Sequence, residues 1–263
     1  MAVITDKSLL EFENVTLRFA GLTALSDVSL SIGEGELFAI IGPNGAGKTS
    51  LFNCVSGVYR PQEGAVRLGG ESLLTLAPHA IAARGVARMF QNLALFDNLT
   101  TLQNLLVGAH HGFRSNWLGD LLWSGRTRSE EVRARAIAEQ VMDFLELAAW
   151  REYPVGLLPY GVRKRIELGR ALAMQPRLLL LDEPAAGLNR EEKEELATFL
   201  IDVRQELGVT QVLIEHELSF VMDLADRVAV FDFGRKVAEG TPDAVRADPA
   251  VLEAYLGKSK GAA

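Results

Sequence analysis

Short apolar runs of strand length divide this chain. Leu37-Phe38-Ala39-Ile40-Ile41 and Leu178-Leu179-Leu180-Leu181 are uninterrupted, the pattern of strands buried on both faces. Val86-Ala87-Arg88-Met89-Phe90, Val209 to Ile214 and Val228 to Phe233 are further runs of this kind. Leu10 to Leu17 and Val28 to Ile32 alternate in part, as half-buried strands do, and Gly33-Glu34-Gly35-Glu36 reads as a turn between strands. After Gln91 the spacing becomes helical. Leu102, Leu105, Leu106 and Ala109 predict one helix. Ile137, Val141, Phe144, Leu145 and Ala148 predict a longer one. Asn189 and Glu192 have the spacing of an N-cap and capping box for a helix carrying Leu196, Leu200, Val203 and Leu207. From Leu178 onward apolar runs alternate with helices, the rhythm of a parallel sheet with crossover helices.

The expected organisation is a single unit over 1–263, an α/β nucleotide-binding core. Residues 1–90 form its β-rich part, 91–174 an inserted helical subdomain, and 175–263 complete the core. Gly112 to Thr127, with three glycines and two tryptophans, reads as an inserted loop or short helix. The tail from Lys258 to Ala263 looks loose. A chain of 263 residues can bury a good core. Its net charge of −7 argues against a nucleic-acid partner. No apolar run reaches membrane-spanning length, and Met1 to Glu13 lacks the basic and apolar regions of a secretory signal. The one cysteine, Cys54, fits a small buried residue in a cytoplasmic protein.

The chemistry begins between the Leu37 strand and the helix expected over Thr49 to Ser56. Gly42-Pro43-Asn44-Gly45-Ala46-Gly47-Lys48-Thr49 fits the phosphate-loop pattern G-x-x-x-x-G-K-[ST], and Ser50 follows it. The glycines let backbone N–H groups approach a phosphate chain. Lys48 reaches the β and γ phosphates, and the Thr49 hydroxyl is placed to ligate Mg²⁺. Leu178 to Leu181 ends in Asp182-Glu183, where a parallel sheet presents its ligand chemistry. Asp182 can hold Mg²⁺ directly or through water, and Glu183 can act as general base on an attacking water. His110 and His111 are adjacent, without spaced partner ligands, and read as surface residues.

In this order and at these spacings, the chain resembles the ATP-binding cassette (ABC) family over nearly its whole length. Gln91 stands where the family has its Q-loop glutamine. Leu158-Pro159-Tyr160-Gly161-Val162 stands at the signature, usually L-S-G-G-Q. Pro184 to Asn189 occupies the D-loop, His216 matches the switch histidine, and Phe19 falls where an aromatic stacks on adenine. The resemblance implies a P-loop NTPase fold with a mixed sheet, an N-terminal antiparallel β subdomain and an inserted α-helical subdomain. It also implies ATP and Mg²⁺, with the metal near Thr49, Gln91 and Asp182. Glu183, His216 and Gln91 become the catalytic residues.

The wording Glu183-Pro184-Ala185-Ala186-Gly187-Leu188-Asn189, the run Phe90 to Phe96 and the ending from Glu239 narrow the resemblance to ATPases of branched-chain (hydrophobic) amino acid uptake. That family implies integral membrane permease subunits, a second and non-identical ATPase subunit, and indirectly a periplasmic binding protein. It implies peripheral attachment at the cytoplasmic face of the inner membrane. The rivals are a lipopolysaccharide-export ATPase and a soluble cassette ATPase outside transport, as in iron–sulfur cluster assembly. The departures at Pro159 and Val162 remove a hydroxyl donor and an amide from the signature, so two unequal ATP sites are expected in the assembly.

Overall fold

The computed structural model describes residues 8–91, 93–110 and 125–251. Most of the stretch read as an insert and the tail from Lys258 lie outside the described residues, although Gly125 to Thr127 already belong to a helix. The strands are Ser8–Phe19 (β1), Leu22–Gly33 (β2), Leu37–Ile41 (β3), Glu63–Leu68 (β4), Glu71–Ser72 (β5), Val86–Met89 (β6), Leu178–Asp182 (β7), Thr210–Ile214 (β8), Arg227–Asp232 (β9) and Arg235–Gly240 (β10). The helices are Lys48–Val55 (α1), Pro78–Ala82 (α2), Thr101–Ala109 (α3), Gly125–Phe144 (α4), Tyr160–Leu172 (α5), Arg190–Leu207 (α6), Leu218–Leu224 (α7) and Pro242–Arg246 (α8).

Two sheets result. One is antiparallel, in the order β2-β1-β4-β5. The other is mixed, in the order β10-β9-β3-β8-β7-β6, with β10 antiparallel to β9 and every other neighbouring pair parallel. The uninterrupted apolar runs are explained by their two-sided burial. Phe38, Ile40, Leu178, Leu180, Val212, Ile214, Ala229 and Phe231 pack with α1 and the antiparallel sheet. Their neighbours Ala39, Ile41, Leu179, Leu181, Leu213, Val228 and Val230 pack with α3, α5 and α6. Because β3, β6, β7 and β8 run parallel, their carboxyl ends share one edge. The phosphate loop, Gln91, Asp182-Glu183 and His216 all follow those ends.

Two details depart from the periodicity. α4 stops at Phe144, and Glu146 turns the chain with φ of 54°. Ala148 therefore lies exposed in a short 3₁₀ turn, and Leu147 is buried instead. Leu207 ends α6 half-exposed, one residue before the left-handed cap Gly208, so the last turn projects beyond the core. The capping box at Asn189 and Glu192 is present with both reciprocal bonds. Among the described residues no helix is long and apolar enough to cross a membrane.

Candidate active site

The phosphate loop follows β3 and opens α1. Gly42 has φ of 147°, and a Cβ there would meet Phe231 O at 2.1 Å. Gly47, the α1 N-cap, has φ of 97°, and a Cβ would meet Ala24 O at 2.5 Å. These two glycines are dictated by close backbone approach. The Lys48 ammonium donates to Gly42 O at 2.7 Å and Pro43 O at 3.0 Å, folded back over the turn. Burial pulls its pKa down, opposed by the Glu183 and Asp182 carboxylates. A cavity of about 450 Å³ opens above the loop, lined by Asn44 to Ser50, Glu183, Phe19 and Phe233. Phe19 is 40% exposed and meets Tyr59 edge-on at 4.9 Å.

The catalytic candidates converge on this cavity and its neighbour. Gln91 Nε2 donates to Glu183 Oε2 at 2.8 Å, and His216 Nδ1 lies 3.9 Å from the same oxygen. Glu183 has φ of 51°, a left-handed conformation costing an ordinary residue roughly 1–2 kcal/mol. Its turn is held by Glu183 N–H on Ile214 O and Ala186 N–H on Glu183 O. Asp182 is buried, and Thr49, Gln91 and Asp182 line a second cavity with Arg88.

These donors fit a triphosphate with Mg²⁺. Lys48 is a buried cation facing the cavity. Thr49, Gln91 and Asp182 are oxygen donors of the hard kind Mg²⁺ prefers. Among the described residues no three His, Cys, Asp or Glu side chains cluster as a complete metal cage. Mg²⁺ commonly binds through one or two protein ligands plus substrate phosphates. His110 is exposed, its ring nitrogen 2.7 Å from Leu106 O, and His111 lies outside the described residues. Cys54 is buried, and burial pushes its thiol up to about 12.

The signature residues are not brought to this cavity. Pro159 caps α5 with φ of −54° and ψ of 150°, and Leu158 and Val162 are buried. Tyr160 is 41% exposed, and its hydroxyl donates to Ala186 O at 3.3 Å in the D-loop of the same chain. Behind it α5 grips the Q-loop. Lys164 Nζ donates to Gln91 O at 3.3 Å, and Ala94 N–H donates to Glu167 Oε1 at 3.3 Å. Lys164 and Glu167 are buried 3.8 Å apart. Burial lowers the lysine pKa and raises that of the glutamate.

Three residues near the site were not singled out from the sequence. Arg88 pairs with Asp182 at 2.6 Å and Asn53 at 2.7 Å, against the rings of Phe52 and Phe90. Its signal was a lone charge inside an apolar strand. Glu215 is buried beside His216, a charge at the end of an apolar run. Phe233, 87% exposed at the β9–β10 turn, rims the cavity with φ of 42°. A bulky residue directly before Gly234 was its only mark.

Comparison with known proteins supplies the family. The profile described as ABC transporter matches residues 25–186, and one described as branched-chain amino acid ATP-binding cassette transporter matches residues 235–260. The chain is 40% identical over 254 residues to the high-affinity branched-chain amino acid transport ATP-binding protein BraF of Pseudomonas aeruginosa. That alignment covers 97% of this chain and 100% of the relative. LivG of Escherichia coli, with the same descriptive name, is 38% identical at the same coverage. The crystal structure of MJ1267, an ATP-binding cassette of an ABC transporter in its ADP conformation, superposes with a TM-score of 0.83. It is 30% identical and covers 95% of this chain and 99% of that one. MJ0796, a dimeric cassette bound to ADP and Pi, superposes with a TM-score of 0.74 at 25% identity, over 89% of this chain and 99% of that one. A family profile over more than half of the chain, together with full-length relatives, shows that the chain belongs to the ABC transporter family, as one of its ATP-binding cassette ATPases.

Proposed function

We propose that this chain is the ATP-hydrolysing subunit of a membrane importer for branched-chain or other hydrophobic amino acids. The observation that carries the chemistry is the convergence of Gln91, Glu183 and His216 at the edge of a cavity floored by the phosphate loop. The substrate class follows from the relatives, named for branched-chain amino acid transport along their whole length.

In this mechanism the loop amides and Lys48 hold the phosphates, and Phe19 stacks on the base. Thr49, Asp182 and Gln91 would hold Mg²⁺, which when bound would supply positive charge to offset that developing on the phosphoryl oxygens. Gln91 orients the water. Glu183 takes its proton, and His216 contacts the γ-phosphate. The exposed Tyr160 and the Pro159 turn face a second cassette, completing its site rather than their own. Two cassettes closing on ATP shift the population toward a closed dimer, which drives the membrane subunits. The partners are integral permease subunits, a second and non-identical ATPase subunit and, indirectly, a periplasmic binding protein. The location is the cytoplasmic face of the inner membrane.

The test is affinity purification from membranes, followed by binding assays on the solute-binding protein of the same system. Co-purifying permeases and a binding protein selective for aliphatic amino acids are expected. A stable soluble assembly without membrane subunits would overturn the importer reading.

A further inference from the structure

Glu215 follows β8 directly and is 1% exposed. A carboxylate buried this deeply is costly unless donors surround it. Its donors come from two places that the proposed chemistry needs. Ala185 N–H, in the turn just after Glu183, donates to Glu215 Oε1 at 2.9 Å. His216 N–H donates to Oε2 at 3.2 Å, and the same oxygen lies 3.8 Å from His216 Nδ1. Two carboxylates thus approach the same ring nitrogen, with Glu183 Oε2 3.9 Å from Nδ1. Lys164, buried on α5, adds an attractive charge toward both Glu215 and Glu183. An apolar residue would fill this space without a desolvated charge, so packing alone does not account for a glutamate here.

We infer that Glu215 is a positioning residue for His216. Its carboxylate fixes the histidine backbone and faces Nδ1, which leaves Nε2 directed to substrate. Through Ala185 N–H it ties that orientation to the turn bearing Glu183. This logic parallels acid–base dyads in which a buried carboxylate orients an imidazole. The inference rests on the reading of His216 as a γ-phosphate contact.

The test uses the full chain in the assembly it forms. Glu215→Ala is expected to lower kcat roughly 10- to 100-fold, the cost of a misplaced catalytic group. ATP affinity, read with a fluorescent nucleotide, should stay within about threefold of wild type. Glu215→Gln, which keeps the volume and one acceptor oxygen, should recover part of the rate. In a His216→Ala background, Glu215→Ala should cost less than about twofold more, because the two act as one unit. In nucleotide-free protein, the amide proton resonances of Ala185 and His216 should move upfield in Glu215→Gln. If Glu215→Ala does not fold, Glu215→Gln and the resonances carry the test. Unmoved resonances, a normal rate, parallel losses of rate and affinity, or a full cost retained without His216 would each overturn the inference. If His216→Ala itself turns over normally, the histidine assignment falls and takes this inference with it. If wild type does not hydrolyse ATP, it is the proposed function that fails.

Discussion

Two helix starts in this molecule invite comparison. At the start of α1 the backbone is enclosed. Phe231 O and Ala24 O leave no room for a Cβ at Gly42 or Gly47, and Lys48 folds onto its own turn. At the start of α5, Pro159 offers neither an N–H nor a side-chain donor, no side chain caps the helix, and Tyr160 is half-open to solvent. The residues proposed to act at the first start come from one chain: Gln91, Asp182, Glu183 and His216 stand at the ends of β6, β7 and β8. The second is supported from behind by Lys164 and Glu167, and Tyr160 meets the D-loop of its own chain at the front. Under the proposed mechanism, the first is a self-contained catalytic half and the second an outward-facing helper half of a shared, two-chain site.

The largest effect should come from breaking the self-contained half at its base. Glu183→Gln should lower steady-state ATPase by about 10²- to 10⁴-fold, the span general bases contribute, while ATP binding is spared and ATP-bound dimers accumulate. Sizing columns and single-turnover assays read both outcomes, and near-normal turnover would remove Glu183 from this role. Lys48→Ala should fail differently, with Kd for ATP rising about 10- to 100-fold, the worth of a charge-assisted hydrogen bond. Equilibrium binding separates it from the glutamate variant.

Glycine spacing and apolar runs were legible in the sequence and the long-range polar contacts were not, for physical reasons. A phosphate loop demands glycines at fixed offsets and a run such as Leu178 to Leu181 admits one burial pattern, so both can be read from one chain. Two of the buried polar contacts are non-local. Arg88 reaches Asp182 and Lys164 reaches Gln91 O only after the sheet and α5 have packed, and no spacing rule announces either contact. Ala148 shows the opposite failure, where helical spacing persisted by coincidence past a turn at Glu146.

The helper half gives smaller effects. Blocking the base glutamate in one subunit at a time of the reconstituted complex should show unequal losses, with Glu183 of this chain carrying most of the turnover. Equal losses would end the asymmetry. Pro159→Ser should restore a γ-phosphate donor to the opposite ATP and raise the weaker site's turnover by up to about tenfold, part of the 1.5–3 kcal/mol such bonds are worth. Unchanged single-site rates would show that the Gly161 amide already suffices. The smallest change lies where the D-loop ends in the cap of α6. Asn189→Ala removes the α6 cap bond to Glu192 N–H and should cost about 1 kcal/mol in chemical denaturation, with ATP affinity unchanged.

The left-handed backbone at Glu183 has an evolutionary cost. Glycine there would relieve roughly 1–2 kcal/mol of strain, so a screen for thermal tolerance alone would favour discarding the side chain. Improving this ATPase by directed evolution therefore needs selection for turnover at every round, because here heat resistance and catalysis pull the same codon in opposite directions.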